Sequence, residues 1–434
     1  MKTIIQFADH NPVRNVVGCK LTLNDTVYFC GDKKLVDAVL PDYERFLEYR
    51  FTSANVKPFY IDTDNVEEVM NKLEKLILDN PKCVIDVSGG KDLYLYAVGR
   101  IVQKLKDIKN IQVQLVDSRN GKIVDIDGDE RVEESNVPFL TIAENIILRG
   151  GRIIESSKFE ISRDHPDESM CDDIETMWEI TRKYGTLWNS FKDVIERHKI
   201  IVPGEERNNA YIVKNSVFSA MGSINGASND DGTTSLTKRQ LYNELVQAGI
   251  LIQELLDKNN EPGKPILYRI TCKNDFVKKC MDMCGTPLEL QTYLAALRYK
   301  VDGEYFFNDV RTGVKIEWDD RKNYIDCDKP SNEVDVIASS GFDCYFISCK
   351  NGKVDKNELY LLNAVSTKFG GIATKKVLIA SDLSIAHKDP RSKNKFKDEA
   401  KALGIDVFDN VKKKNMNSFF NMFDKIRINK DDNE

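Results

Sequence analysis

Glu289, Asp335 and Lys350 are the residues whose chemical types and order in the chain suggest a reaction. Hydrolysis of a phosphodiester needs an activated water and a neutralised developing charge. Two or three carboxylates on adjoining elements can hold Mg²⁺ or Mn²⁺ through oxygen ligands. A lysine beside them can orient water and stabilise the charged phosphate. The stretch EVDVIASSGFDCYFISCK (333–350) reads as two apolar strands around a turn, with Glu333 and Asp335 flanking the first and Lys350 ending the second. Asp335 and Lys350 are 15 residues apart, so one hairpin can bring them together. Each also has a plain structural explanation. Glu289 follows Thr286 by three residues and can complete a capping box. Asp335 can cap or pair with Lys350. Glu358 opens the next helix, where an acid suits the macrodipole or adds a contact to the site.

A second set of candidates lies near the N-terminus. IDVSGGKDLYLYAVG (85–99) is strand, Ser-Gly-Gly, helix, and ADHNPVRNVVG (8–18) follows the first strand and opens another helix. Glycines admit a ligand close to the backbone, and free amides at a helix start attract phosphate. In a parallel sheet both loops share the carboxyl edge, where ligands bind. His10, Asn11, Arg14 and Asn15 then supply donors beside Ser88, Gly89, Gly90 and Lys91. The turn is neither a G-x-G-x-x-G fingerprint nor a P-loop, and a tight strand-to-helix turn explains it as well.

The elements that must hold these residues follow from the apolar pattern. Strands at 3–9, 26–32, 56–62, 83–88 and 111–117 alternate with helices at 35–50, 65–78 and about 91–106, which predicts a parallel α/β sheet. KIVDID (122–127) adds a hairpin strand around Asn120-Gly121. A polar stretch, 127–137, precedes a mainly helical section that breaks at Pro203-Gly204, and 222–235 is a loop by composition. A helix from 237 and two strands around 258–264 resemble a winged helix. From 286 the order is helix, strands, helix (357–369), strand (375–381), a second α/β unit.

The chain has 434 residues, 41% hydrophobic and 30% charged, which suits two or three globular domains. No apolar run reaches the ~20 residues of a membrane span, and MKTIIQFADH does not read as a signal peptide, so a cytoplasmic protein without membrane contact is expected. The ten cysteines include one C-x₃-C pair, Cys280 and Cys284, with no second pair to complete a zinc site, so reduced buried thiols are expected. The net charge of −6 argues against a general nucleic-acid coat protein. From Lys350 onward, however, 18 lysines and arginines face 12 acids, a basic end that fits local phosphate contact or a solvated helical tail around KKK at 412–414.

The order helix acid, strand acid, lysine over about 286–410 resembles the PD-(D/E)xK nuclease fold. The family's acid-x-Lys motif is Ser348-Cys349-Lys350 here, so one acid is replaced by serine. The resemblance implies Glu289, Asp335 and Lys350 as catalytic residues, with Glu289, Asp335, the Cys349 carbonyl and Glu333 as metal ligands. The Asp86-Val87-Ser88-Gly89-Gly90 turn and the loop at 8–18 resemble the CARF domain, a Rossmann-like sensor. With ISCKN and FGG (369–371), the whole chain is similar to the CARF-domain nucleases of the CRISPR ancillary family. That resemblance implies a CARF domain (1–135), a helical and winged-helix-like connector (136–285) and a restriction-endonuclease-like α/β domain (286–434). It further implies a homodimer that binds cyclic tetra-adenylate through His10, Asn11, Arg14, Asn15, Ser88, Gly89, Gly90 and Lys91. The bound ring would then activate Mn²⁺- or Mg²⁺-dependent cleavage of single-stranded or duplex DNA, or RNA. The rival expectation is a ring-gated DNA-binding regulator with an inert nuclease fold, which Ser348 favours. A third is a sensor that degrades its own ring, for which no nucleophile arrangement is evident.

Overall fold

The computed structural model describes residues 2–16, 21, 25–51, 55–105, 111–117, 122–126, 139–155, 163, 166–202, 208–222, 236–256, 265–283, 285–318, 331–370 and 374–431. The expected Asn120-Gly121 turn, Pro203-Gly204, Cys284, Gly371, the segments 127–137 and 258–264, and nearly all of 222–235 lie outside these residues.

The N-terminal half is built from β1 (Thr3–Phe7), α1 (Pro12–Val16), β2 (Thr26–Gly31), α2 (Lys33–Phe51) and β3 (Asn55–Tyr60). It continues through α3 (Val66–Asp79), β4 (Val84–Asp86), α4 (Asp92–Leu105), β5 (Gln112–Asp117) and β6 (Lys122–Asp125). The six strands lie in the order β3-β2-β1-β4-β5-β6, all parallel except β6. Helices cover both faces, so the central strands are apolar on both sides. Ile4 and Val27 pack with Tyr43, Phe46 and Leu47 of α2, while Ile5 and Ile85 pack with Leu73 of α3 and Ile101 of α4. The strand order reverses between β1 and β4, which opens a crevice at their carboxyl ends.

The middle of the chain comprises α5 (Ile142–Ile147), β7 (Arg152–Glu155), α6 (Glu168–Tyr184), α7 (Thr186–His198), β8 (Ala210–Lys214) and α8 (Ser216–Gly222). Then come α9 (Lys238–Gln247), β9 (Leu251–Leu255), β10 (Leu267–Cys272) and α10 (Asp275–Asp282). The strands β8-β10-β9 form an antiparallel sheet against α8 and α9, a winged-helix-like arrangement. Thr237 and Gln240 form the capping box that starts α9.

The C-terminal part holds α11 (Thr286–Arg298), the short strands β11 (Lys300–Val301) and β12 (Glu304–Tyr305), β13 (Asp309–Glu317), β14 (Ser331–Ser340) and β15 (Asp343–Lys350). α12 (Lys356–Gly370), β16 (Lys375–Ala380), α13 (Pro390–Ala402), β17 (Ile405–Phe408) and α14 (Met416–Asp431) complete it. Its sheet runs β17-β16-β15-β14-β13-β7. The edge strand β7 comes from the middle of the chain, where the sequence predicts helix: Ile316 of β13 pairs with Ile153. Four residues are too few for a periodic signal, and pairing with β13 alone makes them a strand. The sheet is sandwiched. Val336, Tyr345, Ile347 and Cys349 face α11, whereas Ile337, Phe346 and Leu378 face α12 and α13.

The C-terminal helix differs from the solvated tail that its lysines suggest. Phe419, Met422, Phe423 and Ile426 of α14 are buried against α6 and α11, Trp178 meets Phe419 edge-on, and Tyr299 donates to Asp424 at 2.6 Å. An apolar stripe at helical spacing outweighs the basic run before it. The described cysteines, Cys280 among them, are free and buried. No helix among the described residues is long and apolar enough to cross a membrane.

Candidate active site and sensor edge

The hairpin β14–β15 places Asp335 just beyond the pair Val336–Ile347, beside Ser348. Asp335 Oδ2 accepts the Cys349 backbone N–H at 2.7 Å and the Ser348 hydroxyl at 3.2 Å. Burial pushes its carboxyl above the ordinary range, opposed by Lys350 and by these two donors. Oδ1 accepts no hydrogen bond among the described residues. Lys350 Nζ pairs with Glu358 at 2.9 Å, on the first turn of α12, instead of with Asp335. Although burial opposes it, Asp335 and Glu358 raise the Lys350 ammonium above its ordinary value, so it is charged at neutral pH. Glu333, Asp335, Ser348, Lys350 and Glu358 line one cleft of about 40 Å³. That volume admits an ion with its water, since one water needs roughly 10–15 Å³, but not a nucleotide. A phosphate must therefore meet these groups from outside.

Glu289 does not line this cleft. Successive residues of β15 face opposite sides of the sheet. Lys350 points to α12, whereas the Cys349 thiol donates to Thr292 of α11 at 3.5 Å, one turn after Glu289. Asp335 and Glu289 both lie within electrostatic reach of Cys349, whose thiol is driven up first by burial and then by these acids. The capping box expected of Glu289 is not formed. The helix is capped by Gly285 in the left-handed region (φ +81°), and Thr286 is already inside it. No group of three His, Cys, Asp or Glu side chains among the described residues is placed to hold a metal ion. Mg²⁺ needs only one or two carboxylates and fills its shell with water and phosphate oxygens. The open Oδ1 of Asp335, with Glu333 beside it, fits that requirement and not a closed zinc cage.

At the other end of the chain, the loops after β1 and β4 meet at the crevice. The residue that joins them is Asp9, which sequence reasoning did not single out. Its carboxylate accepts the Gly90 N–H at 3.1 Å and the Asn11 N–H at 2.8 Å, and Arg14 stands 3.8 Å away. The acid-x-Asn turn was its one local signal; the partner is 81 residues away. Asn15 is buried and uses its amide on the Asp9 backbone, accepting at 2.9 Å and donating at 3.2 Å. Ser88 accepts the Val116 N–H at 2.9 Å. Asn15 and Ser88 thus shape the loops. His10, Arg14 and Lys91 are exposed at the edge. Lys91 reaches Asp32 at 3.4 Å and Asp64 at 3.7 Å. The Leu35 N–H, against some desolvation, and then Lys91 and His10 hold Asp32 below its ordinary value. Each loop thus pairs its cation with a carboxylate at the edge, Arg14 with Asp9 and Lys91 with Asp32. Gly89 and Gly90 admit close packing, since a Cβ on Gly90 would stand 2.5 Å from Phe7 Cβ.

No protein-family model matches the chain, and no curated protein does. Among solved structures, protein VC1899 from Vibrio cholerae matches with a TM-score of 0.64 at 14% identity, over 98% of this chain and 97% of that one. Can2 from Sulfobacillus thermosulfidooxidans, in complex with cyclic tetra-adenylate, matches with a TM-score of 0.57 at 13% identity, over 98% and 96%. At such identities the likeness is one of fold, and it runs the length of the chain: a Rossmann-like parallel sheet, a winged-helix-like section and a second, mixed α/β sheet.

Proposed function

We propose that the chain is a CRISPR type III defence effector, a homodimeric metal-dependent nuclease switched on by a cyclic oligoadenylate. The observation that carries this is the convergence of Glu333, Asp335, Lys350 and Glu358 on one cleft. The shared fold with a structure that holds cyclic tetra-adenylate supports the sensor half. His10, Asn11, Arg14 and Lys91 meet the ring at the crevice, on loops shaped by Asn15, Ser88, Gly89 and Gly90. In the cleft, Lys350 stabilises charge on the phosphate and orients the water. Glu358 holds the Lys350 ammonium in place. Asp335, with Glu333 and the Cys349 carbonyl, would hold Mg²⁺ or Mn²⁺, which supplies Lewis-acid charge to the phosphate when bound; Glu289, outside the cleft, is left out of this set.

Glu358 stands in for the acid that Ser348 replaces. Glu358→Ala is expected to lower cleavage roughly 10-fold or more by loosening the lysine, whereas Ser348→Ala changes it little. Single-turnover rates for the two variants check this, and a Glu358→Ala enzyme as fast as its parent would remove Glu358 from the site.

The regulator reading finds less support. On α9, the helix that would read DNA, Arg239 stacks on Phe218 and Tyr242, and Glu244 accepts from Tyr184 and Lys183. These side chains are engaged by neighbours within the chain, although Lys183 and Glu244 stay partly exposed. The deciding experiment is cleavage of single-stranded and supercoiled DNA and of RNA, with Mn²⁺, with and without cyclic tetra-adenylate. Cutting only with the ring is expected. Tight ring binding with no cutting of any substrate would favour the regulator.

A further inference from the structure

On the far side of the sensor loop lies a cavity of about 650 Å³, inside the roughly 300–1,000 Å³ range of small-ligand sites. It is walled on one side by His10, Arg14 and Asp42 and on the other by Arg149, Thr367 and Lys368, so it joins the N-terminal half to the C-terminal sheet. Lys91, on the other loop, does not reach it.

The charges of this cavity are unbalanced. Its acids are engaged: Asp42 pairs with Arg45 at 3.7 Å, and Asp9 binds the Gly90 and Asn11 amides. Its cations on the C-terminal side are not. Arg149 donates through Nη1 to the Asn145 carbonyl and side-chain oxygens, both at 3.1 Å, and has no carboxylate partner among the described residues. Lys368 lies 5.9 Å from the Phe369 ring and likewise has none. Burial pulls the Arg149 guanidinium below its ordinary value, opposed only by the nearby Cys344 thiol. Arg149, partly buried and without a carboxylate partner, is a costly cation, and an anion held between it and the exposed Lys368 relieves that cost. Arginine suits phosphate through its planar fork of donors.

We propose that this cavity is an anion site that takes a phosphate-bearing ligand, gripped from the C-terminal side by Arg149 and Lys368 and from the sensor loop by His10 and Arg14. The phosphodiesters of a cyclic oligoadenylate are one source, and that arm rests on the function proposed above; free phosphate is the other. Such a ligand bridges the two halves and touches the last turn of α12, whose first turn holds Glu358 against Lys350. It thus bears on the cleft through one helix.

The test titrates the full-length protein with cyclic tetra-adenylate by calorimetry and with inorganic phosphate by phosphorus NMR. Lys368→Glu, Arg149→Gln and Lys91→Ala are compared with the parent. Lys368 is the surface member and keeps the test valid if Arg149→Gln folds poorly. Ring affinity at least 10-fold weaker in Lys368→Glu is expected. Phosphate binding that disappears in Lys368→Glu while ring binding does not change assigns the cavity to free phosphate. Ring binding that falls with Lys91→Ala but not with Lys368→Glu, and phosphate binding unaffected by Lys368→Glu, overturns the cavity and leaves the sensor reading standing. A parent that binds phosphate through Lys368 but no ring sinks the sensor reading alone. A parent that binds neither overturns both.

Discussion

On the function proposed above, Lys350→Ala and Asp335→Asn are each expected to lower ring-activated cleavage about 10²–10³-fold, the loss typical when one preorganised electrostatic group is removed from a reacting phosphate or carbonyl. The two variants part company in stability. Burial pushes the Asp335 carboxyl above its ordinary value even with Lys350 nearby. As pH rises, the unfolded chain releases this proton first, so the folded state binds more protons over that interval. Stability therefore falls from the ordinary carboxylate range up to the raised value and stays reduced above it. In metal-free protein, Asp335→Asn is expected to melt above its parent at pH 8, with the gain shrinking toward pH 4. Lys350→Ala has the opposite sign, because it strips Asp335 of its counter-charge and Glu358 of its partner. Thermal melts at the two pH values check both signs. Asp335→Asn melting below its parent at pH 8 would mean that the carboxylate is fully compensated where it stands.

Gly90→Ala is the second large effect, and it acts on the other half. Gly90 has φ +104°, and an added Cβ would meet Phe7 Cβ at 2.5 Å in the middle of a buried strand end. The backbone conformation costs roughly 1–2 kcal/mol for an L-residue, and overpacking adds about 1–3 kcal/mol. Relief by backbone shift breaks the Gly90 N–H bond to Asp9 and separates the two sensor loops. Loss of ring binding with a melting point lowered by several degrees is expected. Gly99→Ala is the control: this exposed helical glycine has nothing within 4 Å of an added Cβ, so its substitution leaves ring binding intact and stabilises α4 slightly. Equal losses in both variants would show that the sensor edge does not depend on the Gly90 turn.

The parallel half was legible because its central strands are largely apolar and its helices are strongly periodic, as in Val84–Asp86 and Val66–Asp79. The hairpin with Asp335 and Lys350 was legible for the same reason. What the sequence hid were features set by distant partners. Asp9 matters through an amide 81 residues away. Arg149 and Lys368 share a cavity only because α5 and α12 pack together. Glu289 and Lys350 read as one set by order alone, but the alternation of β15 turns their neighbours to opposite faces of the sheet. The basic run before α14 masked an apolar stripe whose partners, such as Trp178, lie in the middle of the chain.

The strand Arg152–Glu155 has a consequence for how the chain assembles. Its partner strand is Asp309–Glu317, and Ile153 faces Ile316 across a gap of 163 residues. On a growing chain the N-terminal sheet can form while this strand still has no neighbour, its backbone donors unmet and Ile154 exposed. The last sheet completes its edge only when the loop through the winged-helix section has closed, a slow, long-range step. Cutting the gene at a domain border near 286 would thus leave the C-terminal sheet without an edge strand. Recombination that exchanges the two sheets together is what this topology tolerates, with the junction kept outside 140–155.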